Sequence, residues 1–432
     1  MSNSFRLAAV VLFLFSALFG AVAQPVDYDN WFESKSLRFD FSIGGNATVQ
    51  TVYAGRMREE TYWAGPRNGL ITPFAYGEYA CRVSDKATGK QLWSTGFSSL
   101  FLEWRTTAEA RTTWRAYPHS LSFPFPKAPV VFELLQRNRT TMAFEPLFKT
   151  EIDPSSKFIE RGKLNDFRVT RLQYKGDPAN HLDLVFVAEG YKAAEQAQFI
   201  ADANKFVEYL FSVEPYKQLR NRFNIWAVEA VSAESGTDNP GRNEWKNTVL
   251  HSTFYTFDVE RYLTTPDFGA IRDAVSETPT DAVYVIVNTD KYGGGGIYNF
   301  YGLSAARNER SFPVFVHELG HSLVGLGDEY YSSEVAYQDF YNLKTEPWEP
   351  NLTTLVDFGS KWRKLLKPSI PIPTPDTDTY RSGTGVFEGG GYVAKGVYRP
   401  AYNCRMKSNE AEFCEVCRQA IEKTVSFYAP AK

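Results

Sequence analysis

The segment from Val316 to Tyr331, VHELGHSLVGLGDEYY, constrains the fold of this chain more tightly than any other. Apolar residues recur within it and just before it at the spacing of one helical face, which predicts a helix packed on a hydrophobic core. On such a helix His317 and His321 project from the same side, with Glu318 beside them. This spacing is typical of two histidines that bind one Zn²⁺ ion next to a glutamate acting as general base. A buried helix whose histidines only satisfy hydrogen bonds is the alternative, and the number of matching residues disfavours it.

A catalytic zinc site normally takes three protein ligands and keeps one position for water, so a third ligand is needed. Gly325 and Gly327 predict the end of the helix, since glycine readily adopts the left-handed conformation that turns the chain back. Asp328 follows this turn and is the nearest candidate ligand. The alternative is a His/His/Glu site that takes its third ligand from a later glutamate: Glu334, Glu346 or Glu349.

Length and composition indicate a folded protein of more than one domain. The chain has 432 residues, which exceeds the size at which a single hydrophobic core keeps growing, so two domains are expected. The net charge of -3, without any cluster of lysine or arginine, argues against a nucleic-acid partner. Aromatic residues make up 16% of the chain, which favours strand-rich structure.

The N-terminus predicts export. Residues 7–23 are almost wholly apolar and end in Ala21-Val22-Ala23, the small-x-small pattern of a secretory cleavage site. We therefore expect residues 1–23 to be a signal peptide and the product to be secreted or periplasmic. A membrane anchor is disfavoured because the run is short and lacks a charged stop, and no later segment predicts a membrane span.

Three of the four cysteines, Cys404, Cys414 and Cys417, cluster near the C-terminus. A disulfide of undetermined pairing is expected there, which suits an oxidising compartment. A Cys-x-x-Cys zinc site would need two further thiols or histidines nearby, and the neighbouring sequence offers none.

The chain predicts an α+β protein with two parts. Short strands separated by turns predict an N-terminal antiparallel β-sandwich-like domain at residues 24–155. The expected strands are Leu37–Ile43, Ala47–Tyr53, Tyr79–Val83, Val130–Leu135 and Thr141–Phe144. The polar, turn-rich segment Asp153–Lys163 marks the boundary.

A second domain, at residues 165–432, begins beyond this segment. Its strands are expected at residues 182–190, 223–231 and 282–288, with a helix at 193–211 and a closing helix at 414–427. This order predicts a mixed sheet covered by helices. Residues 293–296 are all glycine, and Ile297–Leu303 could form an edge strand that accepts an extended peptide.

Several segments besides the histidine pair resemble one known family. They are Phe186–Tyr191 (FVAEGY), Phe387–Tyr392 (FEGGGY), Tyr398–Pro400 (YRP) and Asn403–Met406 (NCRM). With the 317–330 segment they resemble the immunoglobulin A peptidase family of zinc metallopeptidases, which is placed in or near the metzincins. The resemblance covers most of residues 170–425, and the β-rich half resembles the small domain that often precedes the peptidase.

The resemblance implies a metzincin-like α/β catalytic domain in which His317, His321 and Asp328 bind Zn²⁺ and Glu318 is the general base. It also implies that Met406 lies in the turn beneath the metal and that the substrate is a protein or peptide. The common metzincin pattern places its glycine and third ligand one residue earlier, at Val324 and Gly327 here.

The expected chemistry is hydrolysis of a peptide bond by metal-activated water. Tyr330 or Tyr331 could stabilise the oxyanion, and Glu329 could orient a zinc-bound histidine. The alternative is a secreted binding or adhesion protein with a structural or inactive zinc site. A structural site has no need of a base at Glu318, which favours the enzyme.

Overall fold

The computed structural model describes residues 26–331 and 341–430. The expected signal peptide and Glu334 lie outside these residues. Within them, no helix combines the length and the apolar character needed to cross a bilayer.

The N-terminal region contains two four-stranded sheets. Their strand orders are β5-β1-β2-β8 and β4-β3-β6-β7, and all neighbours are antiparallel except β2 and β8. The strands are β1 (Phe32–Gly45), β2 (Gln50–Glu60), β3 (Tyr79–Asp85), β4 (Gln91–Phe97), β5 (Arg115–Pro126), β6 (Val130–Arg137), β7 (Phe144–Ile152) and β8 (Ile159–Glu160). Two short helices, α1 (Tyr28–Trp31) and α2 (Leu100–Trp104), accompany them.

Aromatic side chains fill the space between these two sheets. Phe39 of β1 meets Phe132 of β6 edge-on at 4.9 Å between ring centroids, and Phe123 of β5 also contacts Phe132. All three are buried. Burial of each phenylalanine side chain stabilises the fold by about 1.5–3 kcal/mol. The aromatic residues of this region thus serve as its hydrophobic core. The expected N-terminal β domain is confirmed.

Two expected strands in this domain were partly wrong, for the same physical reason. Residues 141–143 form a turn rather than a strand, because the Asn138 side chain accepts hydrogen bonds from the backbone N–H groups of Thr140 and Thr141. Asn46 does the same for Thr48 and Val49, so β2 begins only at residue 50. Asparagine competes in this way with strand hydrogen bonding.

The second region is built on a six-stranded sheet in the order β13-β14-β12-β10-β11-β9, here called the central sheet. Its strands are β9 (Arg168–Gln173), β10 (Leu182–Glu189), β11 (Phe223–Glu229), β12 (Ala282–Val287), β13 (Gly294–Ile297) and β14 (Tyr301–Ala305). The four inner strands are parallel and the two edge strands antiparallel, so a mixed sheet is confirmed. The remaining elements are α3 (Gln196–Leu210), α4 (Tyr216–Leu219), α5 (Phe268–Val275), α6 (Ser311–Leu319), β15 (Phe387–Gly390), β16 (Val393–Arg399) and α7 (Glu415–Tyr428).

The two faces of the central sheet have different covers. Leu184 and Phe186 of β10 join the hydrophobic cluster of α3, α6 and α7, whereas Val185 and Val187 join the cluster that includes the N-terminal sheets and α5. This alternation follows from the two-residue period of a strand. The helices α3, α6 and α7 therefore cover one face, whereas the β domain together with the helix α5 covers the other.

The edge of the central sheet lies one strand earlier than expected. The predicted edge strand Ile297–Leu303 contains a turn, and the strand after this turn, β14, is paired on both sides. The edge strand is instead the glycine-rich β13. A Cβ atom on Gly296 would lie 2.4 Å from the carbonyl oxygen of Glu318, so glycine is what allows this strand to approach α6 so closely.

Candidate metal centre

The histidine pair lies on a helix that changes its geometry before it ends. His317 is on α6, and His321 is on the π-helical turn Gly320–Val324 that continues it. Gly325, in the left-handed conformation at φ 74°, ends the turn, as the sequence predicted. The chain then reverses and carries Asp328 back toward the two histidines.

The structure brings His317, His321 and Asp328 together, and we call these three residues the histidine cluster. Asp328 Oδ1 lies 3.1 Å from His317 Nε2 and 3.2 Å from His321 Nε2, and the two Nε2 atoms are 3.1 Å apart. Ligand bonds of about 2.0–2.1 Å at a tetrahedral centre place neighbouring donors about 3.3 Å apart. The three atoms therefore fit around a single tetrahedral cation.

The outer ring nitrogens fix how the two histidines point. His317 Nδ1 lies 2.9 Å from the carbonyl oxygen of Arg405, and His321 Nδ1 lies 2.6 Å from that of Leu326. Because a carbonyl only accepts, each neutral ring carries its proton on Nδ1 and turns the lone pair of Nε2 into the cluster. Such second hydrogen bonds are the usual support of metal-binding histidines.

The electrostatics of the cluster also favour a bound cation. Burial raises the pKa of Asp328, but the neighbouring histidines outweigh it and hold this pKa far below its usual range. Burial lowers the pKa of His321, yet Asp328 outweighs this and raises it to about 9. Asp328 thus stabilises a positive charge beside it, and a metal ion in the cluster would replace the proton of His321 in that role.

Tyr392 was not among the site residues expected from the sequence. Its hydroxyl donates a hydrogen bond to Asp328 Oδ2, the carboxylate oxygen turned away from the histidines. Tyr392 lies just after β15 and has a left-handed backbone conformation, with φ 65°. The backbone N–H of Gly391 also bonds to the carbonyl oxygen of Asp328 at 2.7 Å. The only signal in the sequence was the FEGGGY segment itself, which was noted for its resemblance and not for a contact.

Glu318 borders a cavity of about 160 Å³ that also exposes the histidine cluster. Burial raises the pKa of Glu318, and this effect exceeds the opposing pull of the two histidines. A carboxylate with a raised pKa is suited to accept a proton near neutral pH. The cavity also meets β13, Tyr330 and, from the N-terminal domain, Glu103.

The residues around Asp328 separate into distinct roles. Tyr330 lines the cavity, whereas Tyr331 packs against Gly389 and under Arg399, outside it. Glu329, which the sequence left as a candidate to orient a histidine, does not do so, because its side chain turns to the opposite side, toward Asn351 and Cys417.

Met406 lies directly behind the π-helical turn. A Cβ atom on Gly320 would be 2.9 Å from its sulfur, so glycine allows the methionine to pack under the histidines.

The alternative glutamate ligands do not join the histidine cluster where the structure describes them. Glu346 accepts hydrogen bonds from Thr354 and from the backbone of Asp357, and Glu349 accepts one from Tyr341.

The expected disulfide is wrong for the described residues, where all four cysteines are free thiols. The sulfur atoms of Cys404 and Cys417 are 3.7 Å apart, well beyond the bond length of about 2.05 Å.

The comparisons with known proteins cover both regions of the chain. The family described as IgA Peptidase M64 matches residues 170–384 and 376–425, and the domain described as Peptidase M64 N-terminus matches residues 27–148. No curated protein gives a significant match. The first match includes the histidine cluster, Glu318 and the FEGGGY segment, and it spans more than half of the chain. The chain therefore belongs to the IgA peptidase M64 family.

Proposed function

We propose that the protein is a secreted, zinc-dependent endopeptidase. The observation that carries this proposal is the convergence of His317, His321 and Asp328 next to a cavity that Glu318 also faces. Membership of a peptidase family supports a protein or peptide as the substrate.

Zinc is the metal that best suits these donors. Two imidazole nitrogens and one carboxylate oxygen with tetrahedral spacing are a common ligand set of catalytic zinc. When bound, zinc would acidify a water molecule and polarise the scissile carbonyl. The fourth side of the cluster faces the cavity, which is where water and substrate would enter.

The protein's own groups would handle the proton, the oxyanion and the peptide. Glu318 would accept the proton of the attacking water and pass it to the leaving amine. The Tyr330 hydroxyl, in the same cavity, would donate a hydrogen bond to the oxyanion. The edge strand β13 would bind an extended peptide by backbone hydrogen bonds, since all four of its residues line the cavity.

The proposal extends to the organisation of the whole chain. Residues 1–23 would direct export to the periplasm or the cell exterior, residues 24–155 would form the β domain, and residues 165–432 would form a metzincin-like peptidase domain. The support is the apolar N-terminus, the change from two β sheets to the central sheet, and the methionine packed behind the histidines.

The decisive experiment is the substitution Glu318→Gln. It removes the base but keeps the shape and the cluster, so hydrolysis of a mixed peptide library should fall by about 10²–10⁴-fold while bound zinc is unchanged. Glu309→Gln, an exposed glutamate just before α6, is the matched control and should keep full activity. Unchanged hydrolysis in Glu318→Gln would favour the binding-protein alternative, and wild-type hydrolysis that survives a chelator would overturn the zinc dependence.

A further inference from the structure

A second group of potential metal ligands lies behind the first. Cys404, Cys414, Cys417 and Glu329, here called the cysteine cluster, each offer one ligand atom, and these four atoms all lie within 4.8 Å of one another. Cys404 and Cys417 are fully buried, as is Glu329. Cys404 and the distant residue Glu329 thus supply the two further donors that the Cys414-x-x-Cys417 segment lacks.

The spacings between these ligand atoms fit a tetrahedral metal site. The sulfur atoms of Cys404 and Cys417 are 3.7 Å apart, and Cys417 Sγ is 3.4 Å from Glu329 Oε1. Zinc–sulfur bonds of about 2.3 Å and zinc–oxygen bonds of about 2.0 Å at tetrahedral angles give about 3.8 Å between two sulfurs and about 3.5 Å between sulfur and oxygen.

Glu329 provides an independent sign of a missing ligand. Its side chain is fully buried, and its Oε1 accepts a hydrogen bond from Asn351 Nδ2 at 3.0 Å. Its Oε2 has no hydrogen-bond partner among the residues that the structure describes. A buried carboxylate beside three sulfur atoms is costly unless a cation compensates it, because burial removes the hydration of its charge.

We propose that Glu329, Cys404, Cys414 and Cys417 bind a second Zn²⁺ ion, one with a structural role. Three thiolates and a carboxylate form a closed set of four donors, which leaves no position for substrate. Thiolate ligands also select zinc over magnesium or calcium.

This site would hold together the segments that shape the histidine cluster. Glu329 is the neighbour of Asp328, and its backbone N–H bonds to the carbonyl oxygen of Met406 at 2.8 Å. Cys404 precedes Arg405, whose carbonyl oxygen accepts the hydrogen bond from His317. A metal in the cysteine cluster would therefore fix the position of Asp328 and that of the Arg405 carbonyl group, which holds His317.

The first test is the amount of zinc per chain in the purified full-length protein, measured by elemental analysis. Two ions are expected in the wild type, one in the double variant Cys414→Ser/Cys417→Ser and one in His317→Ala/His321→Ala. Cys81→Ala, which removes the buried cysteine of the N-terminal sheet, should keep two. A wild-type protein with one ion that disappears in the histidine variant would overturn the proposal, whatever its activity.

The second test does not depend on the cysteine variants folding. In His317→Ala/His321→Ala the cysteine cluster is intact, so substitution of Co²⁺ for zinc should give sulfur-to-cobalt charge-transfer absorption in the near ultraviolet. Glu329→Gln in that background should weaken cobalt binding while keeping the absorption. Absence of this charge-transfer absorption would overturn the site. So would a count of two free thiols instead of four in the denatured wild type treated with a chelator, because it would show a disulfide.

Discussion

Asp328 and Glu329 are neighbours in the chain but serve clusters of opposite character. Asp328 meets two imidazoles beside a cavity, whereas Glu329 meets three sulfur atoms in the interior. The histidine cluster thus has one side on a cavity, whereas the cysteine cluster brings four potential donors together around one point. Under the two proposals, this would be the difference between a catalytic and a structural zinc site, set by two consecutive carboxylates whose side chains point to opposite sides of the chain.

The largest expected effect comes from removing Asp328 alone. Asp328→Ala should release zinc from the histidine cluster and lower peptide hydrolysis by about a thousandfold or more, since metal activation contributes several kcal/mol. Zinc in the cysteine cluster should remain, because none of its four donors is changed. Elemental analysis together with the peptide assay checks both statements, and full metal retention in this variant would remove Asp328 from the ligand set.

The next effect separates the two tyrosines that follow these carboxylates. Tyr330→Phe removes the hydroxyl that lines the cavity, and loss of one oxyanion donor should lower kcat by about 10²–10³-fold with little change in KM. Tyr331→Phe is the matched control, because that ring packs against Gly389 away from the cavity. Equal activity of the two variants would show that Tyr330 only packs.

A smaller effect is expected from Tyr392→Phe. The Tyr392 hydroxyl bonds to the outer oxygen of Asp328, and loss of such support typically lowers metal affinity by about 10–100-fold. Competition with a zinc chelator of known affinity measures the change, and Tyr398→Phe in the same hairpin is the control. Zinc affinity equal to that of the wild type would mean that Asp328 is held by the backbone bond from Gly391 instead.

Much of the fold around these clusters followed from periodicity in the sequence. The buried strands of the central sheet, α3 and α7 were predicted because unbroken apolar runs and helical spacing are local signals. The turns at Asn46 and Asn138 were missed, since there a single side-chain hydrogen bond overrides the strand pattern. The cover on the second face of the sheet is a contact between distant segments, which no local pattern records.

The histidine cluster could be predicted because its three residues lie within one 12-residue segment, positions 317–328. The π-helical turn Gly320–Val324 explains the additional residue relative to the common metzincin spacing, since a π turn holds one more residue than an α turn. Tyr392 and the cysteine cluster could not be predicted in the same way. Tyr392 is 64 positions from Asp328, and Glu329 is 88 positions from Cys417, so only the folded chain brings these pairs together.

His119 lies in the hydrophobic core and contrasts with His321, which lies beside the cavity. His119 is buried between aromatic rings, with Nε2 2.9 Å from Ser99 Oγ and Nδ1 without a partner among the described residues. Burial, unopposed by a carboxylate, lowers its pKa to about 3, opposite to the direction for His321. Because the folded pKa lies below the unfolded value of about 6.5, its contribution to stability is full above pH 6.5 and is lost as the pH falls toward 3.

The smallest predicted effect follows from this sign. Between pH 7.5 and pH 5.5 the wild type should lose about 1.4 kcal/mol of unfolding free energy through His119, and His119→Gln, which cannot take up a proton, should not lose this part. Urea unfolding of both proteins at the two pH values measures the free energy of unfolding. Subtracting the change in the variant from the change in the wild type cancels the titration of all groups that both proteins share. His251→Gln, at an exposed histidine, should behave like the wild type. If His119→Gln keeps the full pH dependence, the ring takes up a proton in the folded core as readily as in the unfolded chain, and a buried histidine here can be charged with neither a carboxylate nor a metal beside it.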